Sequence, residues 1–176
     1  MFIKCIWGLD KLGVKKMIDK KSFVFLSKFF AFFGFFQWML FVVDTSWLQN
    51  FLAGIEAGLL GLARNGNILF IGREAYAIVP SCTGLVSAIV LGAIVFSLKK
   101  PSMKEKTGIF SIGVIVLLLV NIVRVYIVLL VGKEFGVQAA DTVHVATWFA
   151  MSGAIIWAWY FFTKKMTGIK NFDGFL

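Results

Sequence analysis

The chain has 176 residues, of which 60% are hydrophobic and only 15% charged, with a formal net charge of +9. A soluble domain carries about 45–50% apolar and about 25% charged residues, and a chain this small buries only part of its surface. A soluble enzyme, a nucleic-acid-binding module and a disordered tail are therefore excluded, and the polyanion partner that +9 suggests in water gives way to a bilayer.

Crossing a hydrocarbon core of about 30 Å takes about 20 helical residues. In chain order, four segments meet or approach that length: Phe23 to Val43, Cys82 to Leu98, Gly108 to Val131, and Val145 to Phe162. The first is too long for the apolar region of a signal peptide, and Asp44 to Trp47 is a poor cleavage site, so it reads as a retained helix. These boundaries divide the chain into a basic segment 1–22, a membrane domain 23–162 and a basic tail 163–176.

Charge sets the expected orientation. Lys4, Lys11, Lys15, Lys16, Lys20, Lys21 and Lys28 lie before or at the start of the first span. Lys99, Lys100, Lys104 and Lys106 separate the second from the third; Lys164, Lys165 and Lys170 follow the fourth. Fourteen of the 18 basic residues thus fall on one side, which the positive-inside rule makes cytoplasmic together with both termini. The same lysines are expected to meet anionic lipid of the inner leaflet.

Segments 44–81 and 132–144 then face outward. In the first, Leu48, Phe51, Leu52, Ile55, Leu59 and Leu62 repeat at helical spacing, with Gln49, Asn50 and Glu56 off that face. The pattern predicts an amphipathic helix of about four turns on the outer surface. A fifth span over 47–63 is the alternative, and it would spoil the charge asymmetry. From Ile68 to Val79 the chain is β-rich and broken at Gly72-Arg73, which predicts a small hairpin ending at Pro80. The expected fold is an all-α membrane protein: a bundle of about four transmembrane helices with an outer helix and a hairpin.

Ionisable groups inside a span default to function. Arg124 lies about 24 Å along the third span, where it either snorkels to the interface or, with Asn121 one turn earlier on the same face, points into the bundle. Cys82 follows Pro80-Ser81 where the second span begins, and a helix N-terminus favours thiolate. Thr83, Gly84 and Ser87 keep its surroundings small and polar. A buried inert thiol is the bland alternative. His144, three residues after Asp141, opens the fourth span. Nucleophile, proton carrier and fixed cation converge from three spans, the set that acyl transfer at a peptide bond requires.

At these residues the chain resembles the exosortase/archaeosortase family. Pro80-Ser-Cys-Thr-Gly-Leu-Val-Ser87 is similar to its Cys-[ST]-Gly-x-x-Ser signature, Asn121-Ile-Val-Arg124 to its Asn-x-x-Arg signature, and His144 to its third catalytic position. Some archaeosortases carry arginine there, so the histidine-type triad is the one carried over. The resemblance covers roughly Phe23 to Phe162 and is greatest to the compact core seen in small archaeal members.

The resemblance implies a membrane thiol protease or transpeptidase with Cys82, Arg124 and His144 as catalytic residues, and Asn121, Asp141, Thr83, Gly84 and Ser87 in support. It implies exported substrates ending in a motif, a hydrophobic span and a basic cluster, cut at the outer face of the cell membrane. Water, an amine or a membrane lipid is left open as acceptor. A non-enzymatic channel or envelope-assembly subunit, with Arg124 and Asn121 lining a polar cavity, is the different-class alternative.

Remaining features read as structural. Cys5 sits among the N-terminal lysines, away from the site, and no disulfide framework or multi-histidine metal site is expected. No nucleotide- or dinucleotide-binding motif occurs. The phenylalanines from Phe29 to Phe36 read as lipid-facing packing, Trp47 and Trp148 as interfacial anchors, and Gly84, Ala88 and Gly92 as a close helix contact.

Overall fold

The computed structural model describes residues 20–167. Cys5, the rest of the basic segment up to residue 19, and the tail beyond residue 167 lie outside them. Among the described residues are five α-helices and a three-stranded sheet: α1 (Lys20–Val42), α2 (Ser46–Leu60), β1 (Ala63–Asn65), β2 (Ile68–Ile71), β3 (Glu74–Ala77), a 3₁₀ turn (Pro80–Cys82), α3 (Leu85–Ser97), α4 (Met103–Phe135) and α5 (Val137–Thr167). Three of them, α1, α4 and α5, are long and apolar enough to cross a membrane, and α3 is a shorter apolar helix packed among them. The chain is thus an all-α membrane protein with a small β appendage, as its sequence predicts.

The helix limits follow local chemistry. Ser102 and Glu105 form a reciprocal capping box at the start of α4, the oxygen of Glu105 accepting the Ser102 amide at 2.8 Å. At the far end, Gly136 separates α4 from α5 with φ 86° and ψ 177°, a step whose conformation is open to glycine, and the two helices pack on each other as a long hairpin. That step also adds about two turns to the fourth span, which begins at Val137 instead of Val145.

The amphipathic helix appears where expected, as α2, but a different face is buried. Leu52, Ala53, Glu56, Ala57 and Leu60 pack inward, whereas Phe51 and Leu59 are exposed. The polar-face assignment of Glu56 is therefore overturned. Small Ala53 and Ala57 let α2 lie close to α4, and the glutamate between them is carried inside. After α2 the expected hairpin turns at Gly72-Arg73, and a third strand, Ala63–Asn65, adds to it through the Gly66-Asn67 turn. Asn67 fastens this sheet, donating its side-chain amide to Ile78 O at 2.9 Å and to Gln49 Oε1 at 3.2 Å.

Two apolar cores result. One joins Leu91 and Val95 of α3 to Ile109 and Leu117 of α4 and to Met151, Ile155 and Trp159 of α5. The other joins Leu52, Ala53, Ala57 and Leu60 of α2 to Leu69, Ile78, Val125 and Leu129. Between Leu117 and Val125, the buried stripe of α4 turns polar at Asn121 and Arg124. That polar step is where the site forms.

The expected small-residue contact is present: a Cβ on Gly84 would meet Leu118 and Asn121, one on Gly92 would meet Phe110, and Ala88 between them is buried. Phe23, Phe30, Phe35 and Phe41 of α1 are exposed, while Phe32 packs inward on Phe96 at a 5.9 Å centroid distance. Trp47 is exposed at the start of α2, where an interfacial anchor is expected, whereas Trp148, also exposed, lies about three turns inside α5 because that helix begins at Val137.

Candidate active site

Cys82 ends the 3₁₀ turn that Pro80 begins, its amide bonded to Val79 O at 2.8 Å. Thr83 closes the turn by donating its hydroxyl to Pro80 O at 2.7 Å. The α-helix itself starts only at Leu85, because Gly84 adopts φ 84°. Cys82 therefore sits on a rigid elbow three residues before α3, not in its first turn as the sequence suggested. The free amides of that helix end lie beyond it, one of them directed to Thr83 Oγ1 at 3.5 Å. A side chain on Gly84 would press on Asn121 and Leu118 at 3.2–3.3 Å, so glycine also permits the approach of α4 to the elbow.

Asn121 is 1% exposed and uses both ends of its amide. Its Nδ2 donates to the carbonyl of Cys82 at 2.6 Å, and its Oδ1 accepts Arg124 Nη1 at 3.0 Å. Arg124 is 6% exposed and turns inward, which settles the snorkelling alternative against it. Its Nε donates to Thr147 Oγ1 at 3.3 Å, and its Nη2 lies 3.4 Å from His144 Nδ1. A guanidinium only donates, so Nδ1 accepts and the neutral ring carries its proton on Nε2.

Bonds thus run without interruption from the Cys82 backbone through Asn121 and Arg124 to His144. Among the described residues no carboxylate pairs with Arg124, so its charge is spread over an amide, a hydroxyl and an imidazole. A buried cation held this way keeps its field available to an incoming anion.

Cys82, Asp141 and His144 line one cavity of about 250 Å³, walled also by Tyr76, Ile78 and Leu129. Ser81, Ser87 and Arg124 line the end of a second, apolar cavity of about 440 Å³ between α1, α3 and α5. The elbow and Arg124 stand between the two. Asp141 lies one helical turn before His144, as expected, but among the described residues no hydrogen bond joins them. The ring is instead engaged by Arg124.

Two residues of the site escaped the sequence reading. Thr147 commits its proton to Val143 O at 2.7 Å and offers its oxygen to Arg124; its place one turn after His144 was the available signal. Tyr76 precedes the cysteine motif by six residues on β3 and reaches the cavity wall. Among the described residues its buried hydroxyl has no partner, and burial, followed by the charges of Glu74 and Asp141, pushes its pKa up. It therefore remains a proton donor at neutral pH. Among the described residues no group of three or more His, Cys, Asp or Glu side chains is placed to hold a metal ion.

Residues 18–160 match the family model described as transmembrane exosortase. No curated protein and no solved structure matches the chain.

Proposed function

Since the chain belongs to the transmembrane exosortase family, whose general role is that of a membrane transpeptidase or protease, we propose that Cys82, Arg124 and His144 form its catalytic set. The observation that carries this reading is Arg124, tied at once to the amide that holds the Cys82 carbonyl and to the imidazole of His144. Nothing in the arrangement favours a channel, because Asn121 and Arg124 are sealed against each other and not spread along an open polar bore.

In this reading a substrate tail lies in the bilayer with its scissile bond at the elbow. The Cys82 sulfur attacks the carbonyl carbon as the thiol proton passes to His144. An N–H of Arg124 turns to the oxygen that becomes negative, and that movement frees Nδ1 of His144 to hold the proton. Collapse breaks the C–N bond, the proton goes to the leaving amine, and a thioester remains on Cys82. Water or another nucleophile then gives its proton to His144 and attacks the thioester, which expels the thiolate. Water gives hydrolysis; an amine or a lipid hydroxyl or amine gives transfer. The substrates are exported proteins with a C-terminal motif, a hydrophobic span and a basic cluster, and the site faces outward with both termini cytoplasmic.

The test is co-expression with an exported protein of the source organism that ends in such a tail. Cys82→Ala is expected to insert normally yet leave the tail uncut, and wild type to yield a Cys82 thioester adduct by mass spectrometry. A Cys82→Ala variant that trims tails at the wild-type rate overturns the assignment. Labelling of Cys82 by an impermeant maleimide only after permeabilisation overturns the orientation.

A further inference from the structure

At the opposite end of the bundle, the start of α1 and the end of α3 enclose a cavity of about 390 Å³ lined by Lys20, Lys21, Lys28 and Lys99. Among the described residues no acidic side chain lines it. Like charges gathered round one space repel unless an anion enters. A second observation marks the place for that anion. Ser97, also on the wall, is 5% exposed, and among the described residues its hydroxyl has no hydrogen-bond partner. A buried hydroxyl left unpaired is costly, whereas a phosphate oxygen would accept its proton.

The space next to it says what kind of anion. Phe25 lines both this basic cavity and the apolar groove of about 440 Å³ between α1, α3 and α5. That groove continues over Leu26, Phe29, Val90 and Ile94. A polar pocket of cationic ammonium groups that shares the Phe25 wall with a hydrocarbon-lined groove suits an anionic phospholipid: head at the lysines, one chain along α1.

We propose that this is a specific site for an anionic glycerophospholipid, its phosphate held by Lys28, Lys99 and Ser97 and one acyl or isoprenoid chain lying in the groove. The lysine end of the site shares no lining residue with the Cys82 cavity, whereas the groove that would take the chain also borders Ser81 and Arg124; lipid retention is therefore measured apart from cleavage. Basic pockets between membrane helices near the lysine-rich side are suited to such headgroups.

The experiment uses the full chain, purified in mild detergent and titrated with phosphatidylglycerol or phosphatidylcholine, with bound lipid counted by native mass spectrometry. Phosphatidylglycerol is expected to be retained roughly tenfold or more over phosphatidylcholine. Lys28→Gln with Lys99→Gln should remove that preference, and Lys28→Arg with Lys99→Arg should keep it. Ser97→Ala, which leaves every charge in place and keeps the proposal testable should the double variant not fold, should weaken retention about threefold. Lys104→Gln with Lys165→Gln should leave retention unchanged. Equal loss in that control pair would reduce the effect to overall charge and overturn the site. Full displacement of the lipid by millimolar inorganic phosphate would identify a free-anion pocket and overturn the lipid assignment, as would equal retention of the two lipids.

Discussion

The side-chain amide of Asn121 reaches across 39 residues of sequence to donate to the carbonyl of Cys82 at 2.6 Å. This bond fixes the elbow against α4, and the same amide orients Arg124. Asn121→Ala would orphan the part-buried Cys82 carbonyl and one guanidinium donor. The expected stability loss is about 1–3 kcal/mol. Cleavage should slow more than stability loss explains, with kcat falling and KM little changed. A variant that loses stability but keeps kcat would make Asn121 merely a packing residue.

Arg124 offers three separately directed donors, to Asn121, Thr147 and His144. A lysine cannot reproduce that fork from a single ammonium. Arg124→Lys and Arg124→Ala are both expected to lower kcat by about 10²–10³. Single-turnover cleavage by purified variants measures this, and near-wild-type turnover by the lysine variant would show that charge alone suffices.

Gly84 carries two constraints at once, φ 84° and a gap of 3.2–3.3 Å to Leu118 and Asn121. Alanine there violates both. Gly84→Ala is expected to cost roughly 1–3 kcal/mol and to displace the Cys82 turn. Thermal unfolding and the rate at which Cys82 reacts with a maleimide report the two effects. Gly58, which has open space around it and helical φ, should accept alanine with no loss.

Glu56 is 0% exposed, neither carboxylate oxygen is bonded among the described residues, and burial pushes its pKa up to about 7 from an ordinary value of 4.5. Between those two values the folded state binds more protons than the unfolded state, so stability falls as pH rises through this window and levels off above about 7. Glu56→Gln should remove this dependence, gaining roughly 2 kcal/mol over wild type at pH 8 and almost nothing at pH 4.5. Unfolding curves at both pH values check it; a parallel offset at both would mean that the carboxyl stays neutral or finds a partner.

The long apolar runs and the lysines between them were enough to read the helices, and Gly72-Arg73 was enough for the hairpin. Cys82, Asn121, Arg124 and His144 were legible because polar groups in apolar spans are expensive, so few are present and their spacing shows which share a face. Glu56 was misplaced for the complementary reason. Periodicity weighs residues by hydrophobicity, while Ala53 and Ala57 bury by virtue of being small, and close backbone approach carried the glutamate with them. Thr147 was missed because it serves Arg124 only once folding brings the two together, and Tyr76 because its place on the cavity wall is set by the sheet; neither residue type is rare. The extent of α3 was overestimated because the motif from Pro80 to Gly84 is as apolar as a helix end but folds as a turn.

The brevity of α3 has a physical consequence for the lipid around it. Thirteen residues rise only about 20 Å, short of a hydrocarbon layer of about 30 Å. Such mismatch is relieved by drawing the surrounding leaflet toward the short rod. In the proposed orientation the elbow is expected at the floor of a dimple in the bilayer, within reach of bulk solvent and headgroups.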